Sequence, residues 1–304
     1  MHDGVLVVDK PAGMTSHDVV DVVRRAVGHQ RVGHTGTLDP AATGVLVLCL
    51  GRATKLVRFL QSGRKTYAAE VRLGVTTTSQ DADGEVVATT DASHLDERTV
   101  CEALMRFQGT YPQLPPMVSA VKVGGQRLHE AARRGEDVER EPREITVDSI
   151  VLDGYEPGEQ PRLSFLVTCS PGTYVRTLAH DLGELLGVGG SLAGLRRLAN
   201  GPFVIDEAVE LGAVTAAGER GEAHQLLLDP ADAVRRALPS VEVTDPALLR
   251  RLTEGARLDA QGAPGPFAVF APVSDGEQLI GVYTDQEGGQ AAAELVWTRP
   301  QELA

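Results

Sequence analysis

The sequence is poor in the groups on which several classes of function depend. It holds three cysteines in 304 residues, Cys49, Cys101 and Cys169, far apart and without Cys-x-x-Cys spacing. That argues against a disulfide framework and a cysteine zinc site, and Cys49 and Cys169 sit in apolar runs as core thiols do. No apolar run approaches the roughly 18 residues that a membrane helix needs, and no export signal is recognisable at the N-terminus, so a cytoplasmic protein is expected. Internal repeats are lacking. Excess basic charge is lacking too: the net charge is −13, the wrong sign for a nucleic-acid partner if charge were evenly spread. It is not even. Residues 1–75 carry ten Lys/Arg against six Asp/Glu, a local +4 that leaves −17 for the remainder. A chain of this length buries a large core, enough for one large domain and one small one.

What is present centres on Gly33 to Lys55, GHTGTLDPAATGVLVLCLGRATK. Gly33 to Pro40 is a turn-rich loop, and Pro40 biases Asp39 toward extended or turn backbone, so the carboxylate is presented rather than wound into a helix. Gly44 to Leu50 is a continuous apolar run of the kind that forms a strand buried on both faces. Asp39 alone reads as a turn former. Its company argues for more, because His34, Thr35, Thr37 and Asp39 crowd polar groups beside buried structure, and a nucleophilic carboxylate is one task that repays the cost. A phosphorylated TGT loop is excluded because here the Asp follows those letters. A P-loop is excluded because neither Gly36 nor Gly44 has the required Gly-Lys-Ser/Thr four residues on.

Along the chain, Gly4 to Val8 reads as a strand that places Lys10 at its end, where ligand contacts often lie. Thr15 and Asp18 form a capping pair for a helix with an apolar stripe of Val19, Val20, Val22, Val23 and Val27. Lys65 to Leu73 alternates as a strand, with Tyr67 near its start. TTTSQDADGE, residues 76–85, imitates part of a calcium loop but lacks the acids at both ends. A helix is expected from Asp96, its cap, to Phe107. Residues 112–144 have few core residues, three early prolines and six Lys/Arg against six acids, as an inserted arm would. Ser119 and Lys122 spell Ser-x-x-Lys, but the companion motifs of penicillin-binding enzymes are absent. Strands are expected at Ile145 to Leu152 and Arg162 to Ser170. The second runs into a helix with Tyr174 and Arg176 in its first turn, where a cation opposes the macrodipole and calls for a carboxylate partner. Residues 192–198, LAGLRRL, are an apolar and basic stretch. Residues 240–304 read as a small β-rich domain with one helix.

In their order, DKPAGMTSHDVV, GHTGTLDPAATGVLVLCLGRATK, KTYAAEVRLG, DADGEV, PPMVSAVKVGGQRLHEAARRG, CSPGTYVRTLAHDLGE and LRRLA resemble the TruB family, the tRNA pseudouridine-55 synthases. The resemblance covers about residues 4–200. It implies an α+β fold: a mixed, mainly antiparallel sheet with helices and an RNA-binding insertion in residues 1–239, the insertion at 112–144, and a small PUA-like β domain at 240–304. It also implies an enzyme that isomerises uridine 55 in the TΨC loop of tRNA, acts as a monomer, and needs neither cofactor nor metal, since the reaction involves no redox change and no net water.

By the same resemblance Asp39 matches the catalytic aspartate and Arg176 the arginine that pairs with it. Tyr67 matches the tyrosine packed on the target base, Tyr174 and Leu195 line the uracil pocket, and His34 inserts where the flipped nucleotide leaves its stack. Lys10 joins them as a substrate contact from its place at a strand end. Thr77 stands where the family often has an Asp. The chemistry requires an ionised Asp39 in a dry pocket, which Arg176 is expected to favour by holding its pKa low. Arg196 and Arg197 are expected among the RNA contacts. Two other readings stay open: a non-catalytic RNA-binding or tRNA-chaperone protein on the same fold, and a synthase acting on another RNA.

Overall fold

The computed structural model describes residues 2–117, 122–123, 126–127, 140–274 and 276–303. The remainder of the 112–144 insertion, including the Ser119 of the Ser-x-x-Lys coincidence, lies outside the described residues. Strands β1 (Gly4–Lys10), β2 (Val32–His34), β3 (Thr43–Leu50), β4 (Lys65–Leu73), β5 (Val75–Thr77), β6 (Val86–Thr89) and β7 (Gly109–Gln113) make up the first third with helices α1 (Ser16–Val27), α2 (Val57–Leu60) and α3 (Glu97–Met105). The two-residue strands β8 (Lys122–Val123) and β9 (Gln126–Arg127) pair with each other. Then come β10 (Arg143–Glu156), β11 (Arg162–Cys169), α4 (Val175–Leu185), β12 (Gly190–Asn200), β13 (Phe203–Val204), β14 (Val209–Glu210), α5 (Leu211–Glu219) and α6 (Pro230–Ala237). The last stretch holds β15 (Ser240–Glu242), α7 (Pro246–Thr253), β16 (Leu258–Asp259), β17 (Phe267–Val273), β18 (Gly276–Gln286) and β19 (Gln290–Val296).

The main sheet runs β14-β1-β3-β12-β4-β11-β10-β7, with β2 on β3 and β13 on β12. Its pairs are antiparallel except β1 with β14 and β12 with β3. This is the mixed, mainly antiparallel α+β sheet expected. A second sheet, β15-β17-β18-β19-β16, forms the C-terminal β-rich unit with α7.

Local chemistry accounts for the main elements. Helix α1 opens with the expected capping box, the Asp18 amide donating to Thr15 Oγ1 at 3.1 Å and the Thr15 amide to Asp18 Oδ2 at 2.8 Å. It closes on Gly28 in the left-handed region. Asp96 caps α3, which ends at Met105, two residues earlier than expected, and Phe107 beyond it packs against the core. Val45 to Leu50 have zero exposure on β3. One face of that strand, Leu46, Leu48 and Leu50, packs with α1, and the other, Val45, Val47 and Cys49, packs toward the second sheet. Each such side chain contributes about 1.5–3 kcal/mol by burial.

The outer residues of the 112–144 segment are not arm-like: Gln113 and Pro112 of β7 pair with Arg143 and Glu144 of β10, extending the sheet edge. Residues 192–198, unassigned from composition, are β12 at the centre of the sheet. Among the described residues no helix is long and apolar enough to cross a membrane.

Candidate active site

The loop that carries Asp39 joins β2 to β3 and is pinned from three sides. From α1, Ser16 Oγ accepts from the Leu38 amide at 2.9 Å and donates to the Leu38 carbonyl at 3.1 Å. From β1, Lys10 Nζ donates to the Pro40 carbonyl at 3.1 Å. From β12, Arg197 donates to the carbonyls of Gly36 at 3.1 Å and Thr37 at 3.3 Å, and Asn200 Nδ2 donates to Thr35 Oγ1 at 2.8 Å. Asp39 therefore projects from a loop whose backbone is held almost residue by residue.

Opposite it stands Arg176, in the first turn of α4. Its Nε lies 3.1 Å from Asp39 Oδ2 and its Nη1 3.2 Å from Asp81 Oδ2, while Nη1 also donates to the Ser79 carbonyl at 3.3 Å. The partner that a first-turn arginine calls for is thus two carboxylates. Asp81 lies in the turn between β5 and β6. There the Thr77 hydroxyl donates to the Asp81 carbonyl at 2.7 Å, the Ser79 hydroxyl donates to the Asp81 carboxylate, and Gln80 is held at φ 66° with its side chain accepting from Thr177 at 3.1 Å. A non-glycine residue in that region is strained, and strain of this kind persists where surrounding contacts over-determine it.

Asp39 and Arg176 line a cleft of about 250 Å³ together with Tyr67, Leu195, Tyr174, Lys65, Arg197 and the turns at Gly36 and Gly172. Tyr67 and Leu195 are diagonal neighbours on adjacent strands, since β4 pairs with β12, Tyr67 sits opposite Arg197 and Leu195 opposite Ala69. Tyr174 caps α4 and is fixed by the buried Gln113: its amide donates to Gln113 Oε1 at 2.8 Å, and Gln113 Nε2 donates back to its carbonyl at 3.1 Å. Asp39, Arg176, Tyr67, Tyr174 and Leu195 are thus brought together.

Two expected site residues are not on the cleft wall. Lys10 is fully buried beneath the loop, its Nζ spent on the carbonyls of Pro11 and Pro40, because a strand end that feeds straight into a packed turn is roofed by that turn. His34 ends β2, half-buried, its Nδ1 accepting from the Gly36 amide at 3.3 Å and its ring edge-on to His17 at 5.7 Å. Burial keeps its pKa below the ordinary histidine value, so the imidazole is the neutral form that such an acceptor requires.

The electrostatics of Asp39 correct one expectation. Although 43% of its side chain is open at the cleft mouth, burial pushes the Asp39 carboxyl above the ordinary carboxylate value; Arg176 pulls it down and Asp81 and Asp83 push it up. Arg176 opposes the rise without abolishing it. Burial also pulls Lys10 and Lys65 down to about 8. Arg196 and Arg197 differ from expectation as well: Arg196 holds Asp9 at 2.7 Å, and Arg197 is buried under the loop, so neither stands as a free surface cation. Asp81 was missed as a site residue. TTTSQDADG reads locally only as an incomplete calcium loop, and nothing in it points to Arg176, 95 residues further along the chain. Among the described residues no group of three or more His, Cys, Asp or Glu side chains is placed to hold a metal.

A carboxylate held by an arginine at the floor of a cleft with an aromatic wall, on a mixed sheet of this topology, is the arrangement of a pseudouridine synthase. Residues 24–175 match the TruB family pseudouridylate synthase (N terminal domain), and residues 176–242 match the tRNA pseudouridylate synthase B C-terminal domain. The chain belongs to the TruB family. It is 52% identical over 250 residues to the tRNA pseudouridine synthase B of Symbiobacterium thermophilum, covering 82% of this chain and 81% of that one. It is 45% identical over 284 residues to that of Thermobifida fusca, covering 92% and 94%. Among solved structures, a Cbf5-Nop10-Gar1 complex contains a chain similar over 98% of this one and 86% of its own length, with TM-score 0.74 and 26% identity.

Proposed function

We propose that the protein converts uridine 55 in the TΨC stem-loop of tRNA to pseudouridine, with Asp39 as the catalytic carboxylate. The observation that carries the reading is the pairing of Asp39 Oδ2 with Arg176 Nε at 3.1 Å inside a cleft of about 250 Å³, which has room for a single pyrimidine. Isomerisation breaks the N1–C1′ bond, turns the base and rejoins it through C5. A base within a folded loop must leave its stack to reach Asp39, and Tyr67 and Leu195 offer it a flat and an apolar surface. Arg176 orients the Asp39 carboxylate and favours its ionised form against burial. Tyr174 borders the same cleft, His34 stands behind the loop where it would meet the space vacated by the flipped nucleotide, and Lys10 acts from below by fixing Pro40. The tRNA substrate accords with the names of the relatives, and we place the protein in the cytoplasm as a monomer that needs no cofactor or metal.

The test is to incubate purified protein with an unmodified tRNA transcript and map pseudouridine by position. One pseudouridine at position 55 is expected, and Asp39→Asn is expected to abolish it while tRNA affinity stays within about threefold, because phosphate and stacking contacts supply binding. Activity of Asp39→Asn within tenfold of the parent protein refutes the role given to Asp39. Conversion of a different RNA and not tRNA refutes the substrate, and tRNA binding without conversion turns the reading into that of an RNA-binding protein.

A further inference from the structure

Three cations that a surface would ordinarily keep in water or pair with acids are buried under the reactive loop or along the cleft. Arg197, Lys10 and Lys65 are 1%, 0% and 7% exposed. Among the described residues none of them has a carboxylate at salt-bridge distance; each is bonded to backbone carbonyls. Arg197 donates from Nε to Val45, from Nη1 to Thr37 and from Nη2 to Gly36, and Lys65 donates to Gln61 and Gly63. Neutral carbonyls satisfy hydrogen bonds but do not neutralise charge, and a buried charge is costly unless something anionic meets it. Arg197 and Lys65 approach from the neighbouring strands β12 and β4 and meet at Gly36: a Cβ built there would lie 3.7 Å from Arg197 Nη1 and 3.7 Å from Lys65 Cε. Both also line the cleft that holds Asp39 and Tyr67. Three of its five N–H groups go to these carbonyls and the Tyr67 hydroxyl is a further partner, which leaves Arg197 one N–H for whatever occupies that cleft.

We infer that Arg197 is a further catalytic residue, whose guanidinium stabilises the negative charge on the uracil ring while its bond to the sugar is broken. The inference rests on the isomerisation proposed above. In that reaction the N1–C1′ bond breaks with its electron pair passing to N1, and the ring spreads the charge onto its carbonyl oxygens. The C5–C1′ bond then forms with ring electrons, the C5 proton is lost and N1 gains one, so atoms and charge balance without an oxidant or reductant. The stage between the two bonds is the one that carries an anion. A fixed, buried cation beside the cleft is suited to that stage, because it is already oriented and costs no reorganisation when the charge appears. Arg176 is committed to Asp39 and Asp81, whose charges oppose its own, whereas Arg197 is not offset in this way.

The experiment compares Arg197→Gln and Arg197→Lys with the parent enzyme in single-turnover conversion of tRNA, alongside tRNA affinity and thermal melting. Arg197→Gln is expected to slow conversion about a hundredfold or more, the scale on which loss of one oriented donor to a developing anion is felt. Its tRNA affinity is expected to stay within about threefold of the parent's. Arg197→Lys, which keeps the charge and loses the fork, is expected to recover at least about tenfold over Gln. Equal loss in Gln and Lys would overturn the inference and leave Arg197 as a residue that only positions the loop; so would a Gln variant within about threefold of the parent.

Should Arg197→Gln melt before assay, the unmodified enzyme decides the matter with free bases as inhibitors. 5-Nitrouracil, an anion at neutral pH, is expected to inhibit better than neutral uracil. Inhibition by uracil at least as strong, or by neither, overturns the inference. If the parent enzyme itself makes no pseudouridine, the proposed function has failed and not only this addition to it.

Discussion

Replacing Arg176 with Lys isolates what the guanidinium fork does beyond carrying a charge. Arg176 reaches two carboxylates with different nitrogens, Asp39 through Nε and Asp81 through Nη1, and also the Ser79 carbonyl. An ammonium on a flexible stem is a single point and cannot occupy both positions. Loss of one charge-assisted hydrogen bond costs about 1.5–3 kcal/mol. At about 1.36 kcal/mol per decade of rate, that gives a fall in kcat/KM of roughly 10- to 150-fold. The pH profile supplies a second reading. Burial already raises the Asp39 carboxyl and Arg176 opposes the rise, so weakening the pair raises the carboxyl further. Activity needs the ionised form, hence the acid limb moves to higher pH and added base recovers part of the loss.

Stability runs the other way. A carboxyl whose folded pKa exceeds its unfolded value is a penalty at pH above the folded pKa, and that penalty is relieved as pH falls through it. The acid side therefore loses activity while gaining this increment of stability. The assay is single-turnover isomerisation of tRNA from pH 5 to 9 with both proteins. A Lys variant within threefold of the parent at neutral pH, or an acid limb that does not move, would show that the pairing only holds α4 in place.

Asp81→Asn removes a like charge that pushes Asp39 up, so the acid limb is expected to move to lower pH even as kcat falls several-fold from a less well held Arg176; a limb that moves up refutes the assigned coupling. Gly44→Ala is expected to destabilise the fold by about 2 kcal/mol or more, since strained backbone alone costs about 1–3 kcal/mol. Gly44 has φ +101°, and a Cβ there would lie 2.2 Å from the Arg197 carbonyl oxygen, at the point where β3 and β12 run parallel. An unchanged denaturation midpoint would refute it.

The sheet was legible because its strands carry their burial in their letters. GVLVLCL is apolar throughout since both faces of β3 are covered, and KTYAAEVRL alternates since β4 shows one face to the core. Asp39 was legible from its motif and its proline. Arg176 was legible from its unfavourable position at a helix start, which demanded an anion. What could not be read was anything that depended on which strand lies beside which. β12 bears no alternation, because it has a bulge near Leu192 and Gly194 and another between Arg197 and Ala199, and the period is broken twice. Without its place between β3 and β4, Arg197 looks like any surface arginine beside Arg196. Asp81 was hidden for the same reason: its neighbours in sequence say nothing of Arg176, which lies 95 residues away.

The +4 of residues 1–75 means less for RNA binding than its size implies, and the second sheet is a large part of the reason. Arg52, just after β3, bonds Glu302 at 3.1 Å and sits over the Trp297 ring, and Arg58 of α2 meets Glu294 at 3.3 Å. These contacts continue a core in which Val45 and Val47 pack in one cluster with Ala268, Phe270 and Val282, so the two cations fasten the C-terminal unit against the strand behind the reactive loop. Arg24 is held by Asp21 and Arg64 by Asp148, while Lys10 and Lys65 are buried. Of the ten cations, Arg25, Arg31, Lys55 and Arg72 remain exposed with no carboxylate partner among the described residues. Only cations that meet phosphate release counterions, at a salt slope of roughly 0.7 to 0.9 each. Affinity for tRNA is therefore expected to fall with salt despite the net −13. Neutralising Arg31 or Lys55 with Gln is expected to flatten the slope by up to about 1, and Arg52→Gln to leave it unchanged while lowering the melting point. Salt-independent binding, or an Arg52→Gln slope as flat as that of Lys55→Gln, would mean that charges fastening the C-terminal unit also face the RNA.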